Sequence, residues 1–152
     1  MPQPDKTTRS LSSDIQIRIL LVDDMKTIRT HARALLANGH FDIREAADGE
    51  EALALAKAIQ PHVVLMDIVM PKMDGITCCR RLKKDHASKN IKVIMVTGKG
   101  DYRQIAEAFR AGCDDYITKP INADELREKV NELSRYVIAR DLLRPVLEKD
   151  SV

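Results

Sequence analysis

The sequence has 152 residues, with 25 Lys and Arg against 23 Asp and Glu, so its formal net charge is +2. A chain of this length predicts one domain that can bury a substantial core without disulfides. Direct nucleic-acid binding is not expected, because the charge is balanced and two Phe and three Tyr supply few rings for base stacking.

The chain contains no candidate membrane span. Its longest apolar run, residues 52–56, has five residues, whereas a spanning helix needs about 20. The first residues lack the basic and then apolar segments of a secretory leader. We therefore expect a soluble, cytoplasmic protein that makes no membrane contact.

In chain order, short apolar runs alternate with stretches of helical spacing. Residues 17–22 form the first run, and the helical pattern after it ends near Asn38. Residues 41–46 form the second run. The next helix begins at Asp48 with capping-box spacing and ends before Pro61.

The second half of the chain repeats this alternation. Further strands are predicted at residues 62–66, 91–96 and 115–118. A helical pattern follows each, starting after Asp74, at Asp101 and at Asn122. Three of the five runs contain continuous apolar segments, which indicates strands covered on both faces. The sequence therefore predicts an α/β fold, a doubly wound five-stranded parallel sheet with helices on both faces.

The ends of the chain depart from this pattern. Residues 1–16 are polar and rich in Pro, Ser and Thr, so we expect a disordered tail. Pro145 should end or kink the last helix. We interpret residues 17–139 as the domain and residues 140–152 as a C-terminal extension, which either packs back on the domain or contacts a partner or second copy.

The three cysteines are predicted to be reduced packing residues. They are Cys78, Cys79 and Cys113, an odd number with two adjacent, which does not suggest a disulfide framework. Neither these cysteines nor the four histidines have the paired spacing of a zinc site.

Polar side chains follow four of the predicted strands at their carboxyl ends. They are Asp23 and Asp24 after the first strand, Asp67 after the third, Thr97 after the fourth and Lys119 after the fifth. This edge of an open α/β sheet is where ligands bind. Three neighbouring carboxylates favour Mg²⁺. A carboxylate can also attack phosphorus, with the metal and an ammonium group neutralising the phosphoryl oxygens and a hydroxyl group donating to them.

The segments around these residues resemble the receiver domain of response regulators. The matching segments are residues 19–24, 65–75, 96–98 and 111–120. The resemblance extends from about residue 17 to residue 137. It implies a flavodoxin-like strand order, 2-1-3-4-5, which the spacing alone does not determine.

The resemblance also implies the chemistry of the acidic residues. Asp67 would accept a phosphoryl group. Mg²⁺ would be bound, directly or through water, by Asp23, Asp24, Asp67 and the backbone carbonyl of Val69. Thr97 and Lys119 would bind the phosphoryl group once it is attached.

A switch is implied in the same way. The Lys119–Pro120 peptide bond would be cis. Tyr116 would be the aromatic residue that turns inward when Thr97 moves toward the phosphoryl group. The change would reach the surface formed by the fourth helix, fifth strand and fifth helix.

From this resemblance we expect a response regulator receiver of a two-component system, a phosphoacceptor switch rather than an enzyme that acts on other substrates. Its partners would be a sensor histidine kinase or histidine phosphotransfer protein, and a downstream effector protein. We expect a monomer or a weak phosphorylation-dependent dimer. Too few residues follow Val137 for a helix-turn-helix module, which disfavours direct DNA binding.

Three alternatives remain. The chain could be the N-terminal receiver of a larger regulator, or a pseudo-receiver that binds partners without phosphorylation. The pseudo-receiver is disfavoured because the chain retains the acidic residues and Lys119. A phosphatase that forms an aspartyl-phosphate is disfavoured because Val69 occupies the position of its general acid.

Overall fold

The structure, a computed structural model, describes residues 16–149. Its strands are β1 (Arg18–Val22), β2 (Asp42–Ala46), β3 (Val63–Asp67), β4 (Lys92–Thr97) and β5 (Asp115–Thr118). Its helices are α1 (Lys26–Leu35), α2 (Gly49–Ile59), α3 (Gly75–Lys84), α4 (Tyr102–Arg110) and α5 (Ala123–Lys149), with a 3-10 turn at Ala37–Gly39. The predicted tail lies outside the described residues except for Gln16, as do residues 150–152.

The five strands form one parallel sheet in the order β2-β1-β3-β4-β5. The predicted fold class and the strand order implied by the resemblance are both confirmed. Val22 of β1 pairs with Met66 of β3, so the residues that follow them emerge side by side. Because all strands run in the same direction, every carboxyl end lies at one edge of the sheet.

Each face of the sheet carries its own apolar layer. Along β1, Leu20 and Val22 pack toward α2, α3 and α4, whereas Ile19 and Leu21 pack toward α1 and α5. The neighbouring strands β3 and β4 alternate in the same way. Since side chains alternate across a strand, a segment buried on both sides must be apolar at every position, as residues 19–22, 63–66 and 93–96 are.

The cysteines pack in the layer beneath α3. Cys78, Cys79 and Cys113 are free and buried, which confirms the predicted packing role. Burial raises the pKa of Cys78 to about 12, so its thiol remains protonated at neutral pH. In the described part of the chain, no helix combines the length and apolar character needed to cross a bilayer.

α5 is longer than the sequence predicts. It continues through Pro145 to Lys149, so Pro145 does not end it. The proline removes one backbone hydrogen bond, but it lies in an exposed turn where water can bond to the carbonyl left without a donor. Leu142 and Leu143 are about half exposed. Contact with a partner or second copy stays a prediction.

Gly75 allows α3 to begin directly against the end of β3. Its N–H donates to the carbonyl of Ile68 at 2.8 Å, and a Cβ atom here would collide with the backbone of Asp67. We expect Gly75→Ala to lower the free energy of unfolding by about 2 kcal/mol, because the helix must shift. Urea unfolding measures this loss. Gly98→Ala is the control, since a Cβ there meets nothing within 4 Å; equal losses in both variants would contradict the packing role.

Candidate functional site

The carboxyl edge of the sheet brings the predicted site residues together. Asp23 and Asp24 follow β1 beside Asp67 at the end of β3. One carboxylate oxygen from each of these residues lies within 4.8 Å of the other two. Thr97 ends β4 at the adjoining position, and Lys119 follows β5.

Asp67 lies at the centre of this group and is buried. Its Oδ2 accepts a hydrogen bond from Lys119 Nζ at 2.8 Å, and its Oδ1 accepts one from the Val69 N–H at 3.1 Å. These two contacts fix the orientation of the carboxylate. Thr97 is also buried, and its hydroxyl donates to the Gly98 carbonyl at 3.4 Å, a distance typical of a weak bond. Its side chain therefore loses little by turning toward another acceptor.

Asp23 is buried next to the Asp67 carboxylate. Burial raises the pKa of Asp23 to about 6; the Met25 N–H bond and the Lys119 charge oppose the rise, whereas the charge of Asp67 adds to it. Its Oδ1 accepts that Met25 N–H at 2.8 Å. Three carboxylates facing one ammonium group leave a surplus of negative charge at the site.

The donor set fits Mg²⁺. It consists of carboxylate oxygens, which are hard ligands, and the partly exposed site leaves room for the waters that Mg²⁺ retains. Because Asp23 is buried beside the Asp67 carboxylate, the site holds its full negative charge at a cost. A divalent cation would offset that cost. The backbone carbonyl of Val69 as a further ligand stays a prediction.

We expect Asp23→Asn to stabilise the Mg²⁺-free protein by roughly 1–3 kcal/mol at about pH 8. In the unfolded chain the carboxyl group ionises near pH 3.8, and in the folded protein near pH 6. Ionisation therefore destabilises the fold progressively as the pH rises through this window, and the full penalty is present above it. The gain should shrink as the pH falls to about 4.

Denaturant unfolding of wild type and variant at both pH values, in chelator, measures this effect. Asp24→Asn is the matched control, because the Asp24 side chain is exposed and its charge costs less to hold. A gain of the same size at low and high pH would mean that ionisation of Asp23 is not its source.

Arg29 supports the acidic loop, although no motif in the sequence indicates it. Its Nη1 donates to the backbone carbonyl of Asp23 at 2.6 Å, and its Nε donates to Glu45 at 3.0 Å. Arg29 therefore ties α1 and β2 to the loop that carries the first two carboxylates. It is one of several basic residues on α1, and nothing in their spacing distinguishes it.

Tyr116 of β5 contacts two helices. Its ring packs edge-on against Phe109 of α4, with centroids 6.0 Å apart and an interplanar angle of 89°. Nζ of Lys129, on α5, lies 5.7 Å from the centre of the same ring. The Lys119–Pro120 peptide bond at the end of β5 is cis. Tyr116 thus contacts both helices that flank β5. We call the surface of α4, β5 and α5 the α4–β5–α5 face.

Comparison with known proteins gives consistent matches. The family model of the response regulator receiver domain matches residues 19–131. The DNA-binding dual master transcriptional regulator RpaA of Synechocystis is 36% identical over 118 residues, which cover 78% of this chain and 49% of that protein. Response regulator PleD of Caulobacter vibrioides is 38% identical over 130 residues, covering 84% of this chain and 28% of that protein.

A solved structure is also similar to this chain. A response regulator receiver domain protein from Methanospirillum hungatei superposes with a TM-score of 0.73 at 32% identity, covering 80% of this chain and 96% of that one. The chain spans only about half of RpaA and less than a third of PleD.

Proposed function

This chain belongs to the response regulator receiver family of two-component signalling, and we propose that it is a phosphorylation-dependent switch centred on Asp67. Asp67 accepts a phosphoryl group from a sensor histidine kinase or a histidine phosphotransfer protein. The resulting change alters binding of a downstream effector protein at the α4–β5–α5 face. The observation that carries the proposal is the 2.8 Å contact between Lys119 and Asp67 inside a ring of carboxylates.

Each residue of the site has its own part in the phosphoryl transfer. Asp67 presents a carboxylate held by Lys119 and the Val69 N–H, so an oxygen is fixed for in-line attack on phosphorus. The oxygen–phosphorus bond forms as the phosphorus–nitrogen bond of the donor breaks. Mg²⁺, held by Asp23, Asp24 and Asp67, would neutralise charge on the phosphoryl oxygens.

The switch is a shift between two populations of the same fold. A phosphoryl group adds roughly −1.5 to −2 charge, which Lys119 and Thr97 can bind in only one arrangement. When Thr97 turns toward it, the space behind its side chain becomes available to Tyr116. The Tyr116 ring then gives up its contacts with Phe109 and Lys129, which alters the α4–β5–α5 face.

The residue at position 69 argues against a phosphatase. Val69 is 66% exposed at the position where an aspartyl-phosphatase needs a general acid, and its side chain cannot donate a proton. We therefore propose a switch and not an enzyme that acts on other substrates. It works in the cytoplasm, as a monomer or weak phosphorylation-dependent dimer, without binding DNA itself. The greater length of its relatives keeps open the alternative that it is the receiver part of a larger regulator.

Lys119→Ala tests the coupling step. We expect the variant still to take up a phosphoryl group on Asp67, because the nucleophile remains, but to lose most of the change at the α4–β5–α5 face. The ammonium contact is one of the interactions that selects the active arrangement. The measurement is the amide NMR shift change in α4 and β5 after phosphorylation, with exposed Lys89→Ala as the control. Shift changes as large in Lys119→Ala as in wild type would remove Lys119 from the switch.

A further inference from the structure

The opposite edge of the sheet has a cleft of its own. A cleft with a volume of about 290 Å³ opens where β1, β3 and β4 begin, and α5 forms its far wall. Its polar lining includes Arg18, His62, Asn90, Arg140, Asp141 and Arg144. None of these belongs to the phosphorylation site. His62 directly precedes β3 and Asp67 ends it, so the two sites lie roughly 16 Å apart along that strand.

The cleft is electropositive. Three arginines line it against one acidic residue, Asp141. The Asp141 carboxylate only partly neutralises the two arginines beside it. Its contacts with Arg140 and Arg144 are 3.5 and 3.3 Å long, which is longer than a strong charge-assisted hydrogen bond. The Asp141 side chain is 41% exposed, so water weakens both pairs further.

Two donors on residues that line the cleft have no acceptor among the described residues. Nε of Arg140 is buried without a hydrogen-bond partner, and Nη1 of the same side chain reaches the Asn90 carbonyl only at 3.4 Å. Nδ1 of His62 accepts the N–H of Arg18 at 2.9 Å. Burial lowers the pKa of His62, so the imidazole is neutral at pH 7 and its proton lies on Nε2, an unused donor. A buried donor without an acceptor costs free energy that a bound oxyanion would recover.

We propose that this cleft binds a small molecule through a phosphate-type group. A guanidinium can donate through Nε and Nη together to two oxygens of such a group. Arg140 lines the cleft, and its Nε has no acceptor among the described residues. Arg144 and His62 add a charge and a neutral donor. The volume exceeds that of a single phosphate ion, so the ligand class is a phosphorylated metabolite rather than the free ion.

Pyrophosphate is the probe for this site, used with the full chain in Mg²⁺-free buffer. Without metal the carboxylates at the other edge repel an anion, so binding there does not interfere. We expect saturable binding with a Kd below about 1 mM. The signal is the NMR cross-peak of Arg140 Nε–H, which an acceptor should shift. A negative result would not bear on the proposed phosphorylation of Asp67, because the two sites share no residue.

Variants with opposite expected signs make the test selective. Arg140→Gln should weaken pyrophosphate binding by about tenfold, and Arg144→Gln by about threefold, because each removes a cation. Arg144 is exposed, so its replacement does not endanger the fold. Asp141→Asn should strengthen binding by about threefold, since it removes the competing carboxylate. Arg135→Gln, on an exposed position of α5 outside the cleft, is the matched control.

Three results would contradict the proposed phosphate-type ligand. The proposal is wrong if pyrophosphate gives no saturable shift, or if Arg135→Gln weakens binding as much as Arg140→Gln and Arg144→Gln. It is also wrong if a polyglutamate peptide shifts the Arg140 cross-peak and pyrophosphate does not. In that case the cleft accommodates an acidic protein segment.

Discussion

Asp67→Asn is expected to take up no phosphoryl group from a small phosphodonor and Mg²⁺, whereas the wild type takes up one. Asp67 is the buried carboxylate fixed by both Lys119 and the Val69 N–H, and an amide is no substitute because it is a far weaker nucleophile. Intact-protein mass spectrometry measures the added group directly.

Asp74→Asn is the control for that experiment. Asp74 lies seven residues along the chain and caps α3 by accepting the Thr77 N–H at 2.7 Å, a role that an Asn side chain can retain. This variant should take up the phosphoryl group as the wild type does. Labelling of Asp67→Asn at the wild-type rate would assign the acceptor to another residue.

Removing Mg²⁺ with a chelator is expected to slow phosphorylation of Asp67 by about 100-fold, which corresponds to roughly 2.7 kcal/mol of barrier. The site carries three carboxylates against one ammonium, so an incoming phosphoryl group meets net repulsion unless a cation neutralises it. Replacing both Asp23 and Asp24 with Asn should produce a similar loss even with Mg²⁺ present, because the metal that would neutralise the phosphoryl oxygens loses two of its ligands.

Mg²⁺ titrations followed by amide NMR separate binding from reaction. The double variant should show at least tenfold weaker affinity for Mg²⁺, because carboxylate oxygens supply the binding energy. Arg33→Gln serves as the control, since Arg33 pairs with Glu45 and has no hydrogen bond to Asp23, Asp24 or Asp67 among the described residues. An unchanged titration in the double variant would place the metal elsewhere.

The strands could be predicted because strands buried on both faces require runs of apolar residues, which are visible in the sequence. β3 and β4 are covered on both faces, and each position that is buried is also apolar until the strand reaches Asp67 or Thr97. The predicted strands differ from the observed ones by at most one residue at each end. Capping residues located the helix starts equally well, since Asp48 and Asp101 both accept the expected backbone N–H.

Contacts between distant parts of the chain could not be predicted from the sequence pattern. The strand order came from the resemblance, since a parallel sheet with these connections permits several orders. The basic cleft unites Arg18, His62 and Arg140, which are separated by more than 40 residues at each step and share no motif. Pro145 was expected to end or kink the helix, but the loss of one hydrogen bond in an exposed turn does not terminate α5.

Amide NMR spectra of the Mg²⁺-bound protein, with and without beryllium fluoride as a mimic of the phosphoryl group, test the proposed switch most directly. We expect shifts at Asp67, Thr97 and Lys119, and continuous changes from Tyr116 across the α4–β5–α5 face. In Asp67→Asn these changes should vanish. Shifts confined to the acidic residues, with Tyr116, Phe109 and their neighbours unaltered, would contradict the coupling of phosphorylation to that face.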